Sequence, residues 1–324
     1  MRILITGGMG YLGGRFADDL SAHGHDITIL SQDPLDKKDA QTRAWAKRYR
    51  VLVGDITSPE SLARTFRDAG PIDAVIHAAA VNELVCAREP KLAMEVNGFG
   101  SRNTIEAAAA AGVRRFLYLS TFHVYGMQEG KITEATVPVQ LHPYGITHLV
   151  AELLCRDVAR RHGIELAILR PSNGIGAPVL RSVDRWSLLV MDLCRQAHET
   201  GALRLETAGH QRRDFVSIGD LCQAVRILLD APASALADPV FNVSAGKTMR
   251  VREVAKTVQA EYEKAYRMAL PLCVPDGEDT ASTFSFPARK LAALGYRPTT
   301  DIAQEIRETL RICEAFRPQR SNPS

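Results

Sequence analysis

Residues 6–13, TGGMGYLG, form the stretch that decides the fold. They follow the apolar run 3–5, and an amphipathic stretch begins at Tyr11. In this spacing Gly7 permits a tight turn, Gly10 lets the backbone approach a pyrophosphate, and Gly13 lets the next helix pack closely on the strand. The free N–H groups at the helix start would then face phosphate oxygens. The sequence therefore predicts a dinucleotide-binding loop between the first strand and the first helix.

Outside this loop, short apolar runs alternate with amphipathic stretches. The apolar runs lie at 2–6, 26–31, 50–53, 73–77, 115–119 and 165–169, and helical stretches lie at 11–23, 59–68, 91–111 and 144–162. Strands that alternate with helices form a parallel sheet that is covered on both faces. The pattern predicts an α/β fold, a Rossmann-like doubly wound parallel sheet.

The alternation breaks down after Arg170-Pro171, where proline, glycine and longer irregular stretches appear. Residues 1–170 are therefore predicted to form the dinucleotide-binding Rossmann domain, and residues 171–316 mainly a smaller C-terminal substrate-binding subdomain. Segments near 212–230 are expected to return to the Rossmann domain. Residues 317–324 contain two prolines and little apolar content, which predicts a frayed tail.

The composition of the 324 residues argues against several classes of protein. Forty basic and 37 acidic residues give a net charge of +3 without a basic patch, so no nucleic-acid partner is expected. The six cysteines lie far apart and lack metal-ligand spacing, which predicts reduced thiols and no metal site. No apolar run is long enough for a membrane span or a signal peptide, so we expect a cytoplasmic protein without a membrane partner.

The end of the second predicted strand is where the adenosine ribose of a dinucleotide is read. A carboxylate at this place normally accepts hydrogen bonds from the ribose of NAD. This chain has Ser31-Gln32-Asp33 instead. Serine removes the charge that would repel the 2′-phosphate of NADP, and Lys37 and Lys38 could bind that phosphate. Alternatively, Asp33 could turn towards the ribose, so both NAD and NADP stay open.

Further motifs follow the glycine loop in a fixed order. They are Gly54-Asp55-Ile56, His77-Ala78-Ala79-Ala80, Asn97-x-x-Gly100-Ser101, Ser120-Thr121-x-x-Val124-Tyr125-Gly126, Tyr144, Leu169-Arg170-Pro171-Ser172-Asn173 and Arg213-Asp214-Phe215-Val216. Together, from residue 1 to about 230, they resemble the extended short-chain dehydrogenase/reductases. The similarity is to the NAD-dependent epimerase/dehydratase group, which UDP-galactose 4-epimerase typifies.

The resemblance implies a role for each matching position. Thr121 and Tyr144 match the catalytic Ser/Thr and tyrosine, and Asn173 and Arg213 match positions that hold the diphosphate of a nucleotide-sugar. The planar guanidinium of arginine suits phosphate oxygens. The resemblance also implies a homodimer that forms through a helix bundle. The positions expected to bind the cofactor are Gly7, Gly10, Tyr11, Leu12, Gly13, Ser31, Gln32, Asp55, Ile56, Ala78, Ala79, Ala80, Asn97, Tyr144 and His148.

The chemistry of alcohol oxidation needs these residue types. A base must take the hydroxyl proton while hydride leaves for the nicotinamide. A tyrosine, with a pKa near 10, is a poor base at neutral pH unless a nearby cation stabilises its phenolate. The Thr121 hydroxyl can hydrogen-bond the reacting oxygen as its charge changes. Tyr144 is therefore the candidate base, Thr121 binds the reacting oxygen, and His148 is expected to tune Tyr144.

Position 148 departs from the family's pattern, which has lysine four residues after the tyrosine. Residues four apart share a helix face, so His148 points where the ammonium group would be. Histidine, with a pKa near 6.5, is mostly neutral at pH 7 unless its pKa is shifted. Three interpretations stay open: a working substitute, slower or more alkaline-dependent chemistry, or a chain that binds the cofactor without catalysis.

Positions 122 and 123 depart from a second pattern. Sugar-nucleotide 4,6-dehydratases carry an Asp-Glu pair after the threonine, whereas this chain has Phe122-His123, which argues against dehydration. His123 either contacts substrate or is an ordinary packed or solvent-facing residue. The main hypothesis is an NAD(P)-dependent oxidoreductase or epimerase that acts on a ring carbon, C4, of a nucleotide-diphosphate sugar. The alternatives are a reductase of a non-nucleotide carbonyl substrate and a non-catalytic dinucleotide-binding regulator.

Overall fold

The computed structural model describes residues 1–126, 129–139, 142–279 and 283–316, and the predicted tail 317–324 lies outside the described residues. The strands in these ranges are β1 (Arg2–Thr6), β2 (Asp26–Ser31), β3 (Arg50–Val53), β4 (Ala74–His77), β5 (Arg115–Leu119), β6 (Gly130–Lys131), β7 (Glu165–Pro171), β8 (Asn173–Ile175), β9 (Leu203–Arg204), β10 (Arg212–Ser217), β11 (Val240–Val243), β12 (Thr248–Arg250), β13 (Leu272–Cys273) and β14 (Phe284–Ser285). The α-helices are α1 (Tyr11–Ala22), α2 (Ala40–Ala46), α3 (Pro59–Ala69), α4 (Glu83–Arg88), α5 (Pro90–Ala93), α6 (Ser101–Ala110), α7 (Pro143–His162), α8 (Leu189–Glu199), α9 (Ile218–Asp230), α10 (Val251–Tyr266), α11 (Arg289–Ala293) and α12 (Ile302–Cys313).

The main sheet has the strand order β11-β7-β5-β4-β1-β2-β3, and every neighbouring pair is parallel. The chain runs outward from β1 through β2 to β3, and then returns to the other side of β1 with β4. The connections after β1 and β4 therefore diverge, which opens a crevice at the carboxyl ends of these two strands. This topology confirms the predicted doubly wound parallel sheet.

Side chains along β1 alternate between the two helical layers. Ile3 and Ile5 pack in a core with α1 and α9, whereas Leu4 packs in the opposite core with α3, α6 and α7. All three are fully buried. This alternation follows from the two-residue period of a strand, and burial on both faces explains the continuous apolar run.

The structure divides the predicted helix 91–111 into three pieces. Helix α5 is followed by a π-helical segment, Met94–Gly100, and then by α6. The wider π-helical turn accommodates Asn97, whose side chain is buried and bonds to the backbone of Val81. A π-helical turn inside a longer helix often accompanies a functional site, and hydrophobic periodicity alone does not reveal it.

Residues beyond 171 form a smaller core of their own and also add elements to the main sheet and its helices. Helices α8, α10 and α12 share a separate core next to the small sheet β12-β10-β8. Helix α9 packs against α1 and β5, so this part of the 212–230 region lies on the main sheet, while β10 belongs to the small sheet. Strand β11 extends the main sheet at β7, which the sequence pattern did not indicate. Among the described residues, no helix combines the length and the apolar character that crossing a bilayer requires.

Candidate functional site

The loop between β1 and α1 is closed tightly around backbone atoms. Gly7 has φ +66°, and a Cβ at Gly7 would lie 2.8 Å from the carbonyl carbon of Ala78. A Cβ at Gly13 would lie 2.2 Å from the carbonyl oxygen of Gly7. The Gly10 amide donates to that same oxygen at 2.9 Å, and Gly10 also provides the N-cap of α1, where no side chain occupies the free amides. This cradle fits the diphosphate of a dinucleotide.

A cavity of about 680 Å³ opens at the crevice between β1 and β4. Its other walls come from the start of α2, from the beginning of α7, and from residues 180 and 182–185 between β8 and α8. From the sequence, the Asp184-Arg185-Trp186 part of this last segment was considered as a possible substrate contact, but its place in the cavity behind the glycine loop was not predicted, because it lies in an irregular region without a motif. The predicted cofactor residues that line the cavity are Gly7, Gly10, Tyr11, Leu12, Gly13, Ala78, Ala80, Tyr144 and His148.

Asn97 supports the cavity from behind. Its Oδ1 accepts a hydrogen bond from the amide of Val81 at 2.8 Å, and its Nδ2 donates to Oγ1 of Thr147 at 3.1 Å. Ala79 similarly donates its amide to Oγ1 of Thr6 at 3.3 Å. These bonds hold the loop after β4 to α7 and β1, so Asn97 and Ala79 position the wall of the cavity and lie outside the set that lines it.

The remaining predicted cofactor residues lie near the ends of β2 and β3, outside the set that lines the cavity. The Ser31 hydroxyl donates to the carbonyl oxygen of Asp33 at 2.8 Å, and Gln32 lies between these two residues in the same turn. The Asp55 carboxylate accepts from the amide of Thr57 at 2.8 Å, and Ile56 is buried beneath it in the core. Lys37 and Lys38 line the cavity at this end.

A second cavity, of about 460 Å³, lies between the main sheet and the subdomain. It brings together the four predicted substrate residues Thr121, His123, Asn173 and Arg213, and it shares Tyr144 with the first cavity. The Thr121 Oγ1 accepts from the amide of His123 at 3.2 Å, so its own hydrogen stays available to a ligand. Asn173 donates its Nδ2 to the backbone of Asp214 at 2.8 Å, which leaves its side-chain oxygen for a ligand.

Arg213 is suited to an anionic ligand. Its Nε is buried without a hydrogen-bond partner in the described part of the chain, and burial lowers the pKa of the guanidinium. A buried donor of this kind is costly to leave unsatisfied. A phosphate oxygen in the second cavity would satisfy it.

Tyr144 lies in the first turn of α7, directly after Pro143. His142 caps the helix, and its Nδ1 accepts from the Tyr144 amide at 3.1 Å. The phenol ring meets the His148 ring edge-on, with 4.5 Å between the centroids, and the His123 ring at 5.9 Å. Loss of water around the ring raises the pKa of Tyr144 to about 12. The phenol therefore needs a compensating cation if it is to lose its proton near neutral pH.

His148 does not provide that cation at neutral pH. Its side chain is 2 % exposed, and desolvation lowers the pKa of the imidazole to about 3. The Tyr118 hydroxyl lies 2.7 Å from its Nδ1, while its Nε2 is buried and has no hydrogen-bond partner among the residues that the structure describes. The imidazole is thus neutral, it is oriented by Tyr118, and it lines the first cavity.

A buried ion pair beneath the site was not found by sequence reasoning. The Arg170 Nε lies 2.9 Å and its Nη2 2.5 Å from the carboxylate oxygens of Glu152, and the Ser120 hydroxyl donates to the same carboxylate at 2.5 Å. Arg170 also lies over the ring of Tyr125. The pair joins the ends of β5 and β7 to α7, so it holds Thr121 and the start of α7 in register. A carboxylate eight residues after the tyrosine, on the buried face of α7, was the available signal.

Comparison with known proteins places this arrangement in a family. The profile of the NAD dependent epimerase/dehydratase family matches residues 3–244. A UDP-glucose 4-epimerase of Streptococcus mutans is 26% identical over 322 residues, covering 94% of each chain. A GDP-6-deoxy-D-mannose reductase of Pseudomonas aeruginosa is 30% identical over 276 residues, covering 81% of this chain and 86% of the reductase.

The fold is similar to that of a solved epimerase structure. The structure of the UDP-glucose 4-epimerase of Thermus thermophilus in complex with NAD superposes with a TM-score of 0.80 at 24% identity, covering 97% of this chain and 99% of that chain. The matched range includes the glycine loop, Thr121, Tyr144 and Arg213. The chain therefore belongs to the NAD-dependent epimerase/dehydratase family.

Proposed function

We propose that the protein is an NAD(P)-dependent enzyme that acts by hydride transfer at a ring carbon, C4, of a nucleotide-diphosphate sugar. One observation carries the proposal: Tyr144 lines both the cavity behind the glycine loop and the cavity that contains Thr121 and Arg213. A phenol on this border can exchange a proton with a substrate hydroxyl in the second cavity while the substrate carbon faces the first. Relatives that are named as a sugar-nucleotide epimerase and a reductase support it.

Four residues that line the second cavity can each take part in the proposed reaction. Tyr144 takes the proton from the substrate hydroxyl during oxidation and returns it during reduction. Thr121 donates its hydroxyl hydrogen to the same substrate oxygen. Arg213 and Asn173 hold the diphosphate of the substrate and the sugar hydroxyl next to it. These contacts fix the sugar ring relative to Tyr144. The nicotinamide ring, when bound, supplies the acceptor or donor of the hydride.

The same cavity does not favour dehydration at C5 and C6. Removing water needs one acid to protonate the leaving hydroxyl and one base to take a proton from the carbon. Phe122 is buried and has no titratable group, and His123 is the other side chain at the two positions in question. We therefore propose that the reaction stops at exchange of hydride.

Two measurements test this proposal. Mass spectrometry of the small molecules that co-purify with the protein should identify a nicotinamide dinucleotide and a nucleotide-sugar. Turnover should then be found within a panel of UDP-, GDP-, CDP- and dTDP-sugars and their 4-keto forms between pH 6 and pH 10. Tight cofactor binding without turnover of any sugar would contradict the proposal and favour a non-catalytic regulator.

An NADPH-dependent reductase is a second candidate, and the lysines at the adenosine end favour it. Lys37 and Lys38 line the cavity, and the Asp33 carboxylate is held by the Lys38 ammonium at 2.8 Å. Asp39, which lines the same wall, accepts hydrogen bonds from Thr42 at the start of α2. The ammonium groups of Lys37 and Lys38 suit the 2′-phosphate of NADP, and the two neighbouring carboxylates already accept hydrogen bonds from the protein. Net consumption of NADPH with a keto-sugar would distinguish this reductase from an epimerase, which consumes no cofactor.

We further propose that the protein forms a homodimer through the outer face of α7. Phe99 on the π-helical segment and Ile146 and Leu153 on α7 are 49%, 42% and 59% exposed. These two elements pack side by side, so the three apolar side chains lie on neighbouring helices. Sedimentation velocity should give twice the mass of the chain, and Leu153→Glu should give the mass of one chain. A single-chain mass for the unmodified protein would contradict the dimer.

A further inference from the structure

Because the imidazole at position 148 is neutral, it does not supply the positive charge that the lysine of the family's pattern would place beside Tyr144. In the proposed function Tyr144 must be able to release a proton, and a phenolate in a site of low water content needs a cation nearby. His148 is uncharged at neutral pH, as described above. A positive side chain from another element of the chain would therefore lower the pKa of this phenol.

Arg185 is the basic side chain with the required position. Among the described residues, it is the one lysine or arginine that lines both cavities, as Tyr144 also does. It lies in the irregular segment between β8 and α8, and its guanidinium is held by Glu83, with 3.1 Å between Nη1 and Oε2. The Ser187 hydroxyl donates to the other oxygen of Glu83 at 2.6 Å.

Glu83 is itself fixed to the loop after β4. It is the first residue of α4, and Asn82 caps this short helix by accepting from the amide of Val85 at 3.0 Å. The Glu83–Arg185 pair thus crosses from the main sheet to the subdomain at the border of the two cavities. The side chains are 30% and 21% exposed, so water screens their charges only in part.

The groups that face Tyr144 can be compared by charge. The titratable side chains come from α7, the turn after β5, α4 and the 180–188 segment, and they are His142, His148, His123, Cys86, Glu83 and Arg185. Burial raises the pKa of the Cys86 thiol and lowers the pKa of the His123 and His148 imidazoles. Arg185 and Glu83 are then the charged members of the group, and Arg213 also carries a charge but lines the second cavity without lining the first. The guanidinium favours the phenolate of Tyr144, and the carboxylate opposes it.

We propose that Arg185 takes the electrostatic role of the lysine in the family's pattern: it stabilises the phenolate of Tyr144, and Glu83 holds it in place and limits its effect. Arg185 is a positioning residue in this account, because it acts through Tyr144. His148 then serves as a neutral, oriented hydrogen-bonding group. The inference rests on the proposed role of Tyr144 as the group that transfers the proton.

A titration of residue 144 tests this inference without measuring turnover. Tyr144 is replaced by 3,5-difluorotyrosine, whose intrinsic pKa is lower, and its ionisation is followed by ¹⁹F NMR in the full chain, with and without added NAD or NADP. Arg185→Met should raise the pKa of residue 144 by about one, and Glu83→Gln should lower it by a similar amount. Arg185→Lys, which keeps the charge, should leave the pKa close to its starting value.

The opposite signs separate an electrostatic role from a purely structural one. If the Glu83–Arg185 pair only ties two segments together, both variants break the same tie and shift the pKa in the same direction or not at all. Either result overturns the inference. If Arg185→Met does not fold, judged by circular dichroism, Glu83→Gln decides alone, because an unchanged pKa in that variant also overturns it. Turnover that persists in Tyr144→Phe would instead overturn the proposed function, while leaving the titration unaffected.

Discussion

The two ends of the first cavity differ in the atoms that form them, because backbone atoms form one end and side chains form the other. At the glycine loop the backbone forms the site, and a single added Cβ at Gly13 would collide with a carbonyl oxygen. At the other end, side chains from α7, α4 and the segment before α8 meet around Tyr144, and we propose that the balance of their charges sets how readily the phenol loses its proton. The comparison teaches that binding and chemistry depend on separable parts, one steric and one electrostatic. Changes at one end should therefore leave the other end's property intact.

The largest effect is expected at the chemical end. Tyr144→Phe removes the proton-transferring hydroxyl and keeps the ring that packs against His148, so turnover should fall about 10²- to 10⁴-fold. Cofactor affinity, measured by isothermal titration calorimetry, should stay within about twofold, a change of less than 0.5 kcal/mol. Activity that survives this substitution would remove Tyr144 from its proposed role.

The next largest effect is expected at the glycine loop. Gly13→Ala forces the loop apart, which should destabilise the fold by about 1–3 kcal/mol and weaken cofactor binding roughly tenfold or more. Gly14→Ala is the matched control, because a Cβ there would meet its nearest neighbours at 3.7 Å. In the interior of α1 that change should stabilise the protein by up to about 1 kcal/mol. Thermal unfolding with calorimetric binding checks both, and equal behaviour of the two variants would refute the steric account.

A smaller, directional effect is expected at position 148. His148→Lys places an ammonium group on the face of α7 that carries Tyr144, so in the direction of oxidation, where Tyr144 acts as the base, the rising limb of the pH–rate profile should move to lower pH by about one. His148→Gln is the neutral control and should leave the limb where it is. The profile of kcat against pH measures both. An unchanged profile in the lysine variant would show that position 148 does not tune the phenol.

The smallest effect is expected at the adenosine end. Removing Lys37 and Lys38 together, by substitution with alanine, should weaken NADPH binding roughly tenfold and leave NADH binding unchanged, because only NADPH carries the 2′-phosphate. Lys47→Ala is the control, since Lys47 lies at the end of α2 and does not belong to the cavity lining. Equal losses for NADPH and NADH would show that the lysines do not read the phosphate.

Much of the fold follows from local patterns in the sequence. Strands β1, β2, β3 and β5 have the predicted bounds, since buried parallel strands are short apolar runs that end at polar or small residues. Strand β11 was not predicted, because its four residues follow a region in which the alternation has ended. The π-helical segment was missed because its apolar spacing differs little from that of an ordinary helix.

The site was predictable where one local motif fixes it. The glycine loop needs particular residues at particular spacings, and Tyr144 follows a proline at a helix start. The Glu83–Arg185 pair joins residues 102 apart, and its effect depends on burial that only the folded chain creates. Likewise, the neutral state of His148 follows from its enclosure and from Tyr118, which are properties of the packed core.

The most direct test of the central claim uses a nucleotide-sugar that carries deuterium at C4. The substrate identified by the panel is incubated with the protein, and the label is followed by mass spectrometry and NMR. The account predicts that a reaction quenched within a single turnover, before the sugar is reduced again, contains deuterium on the nicotinamide, and that Tyr144→Phe prevents this transfer while the cofactor stays bound. Product that forms without labelled nicotinamide at any time during the turnover, or with C4 deuterium exchanged for solvent hydrogen, would contradict hydride transfer at this carbon.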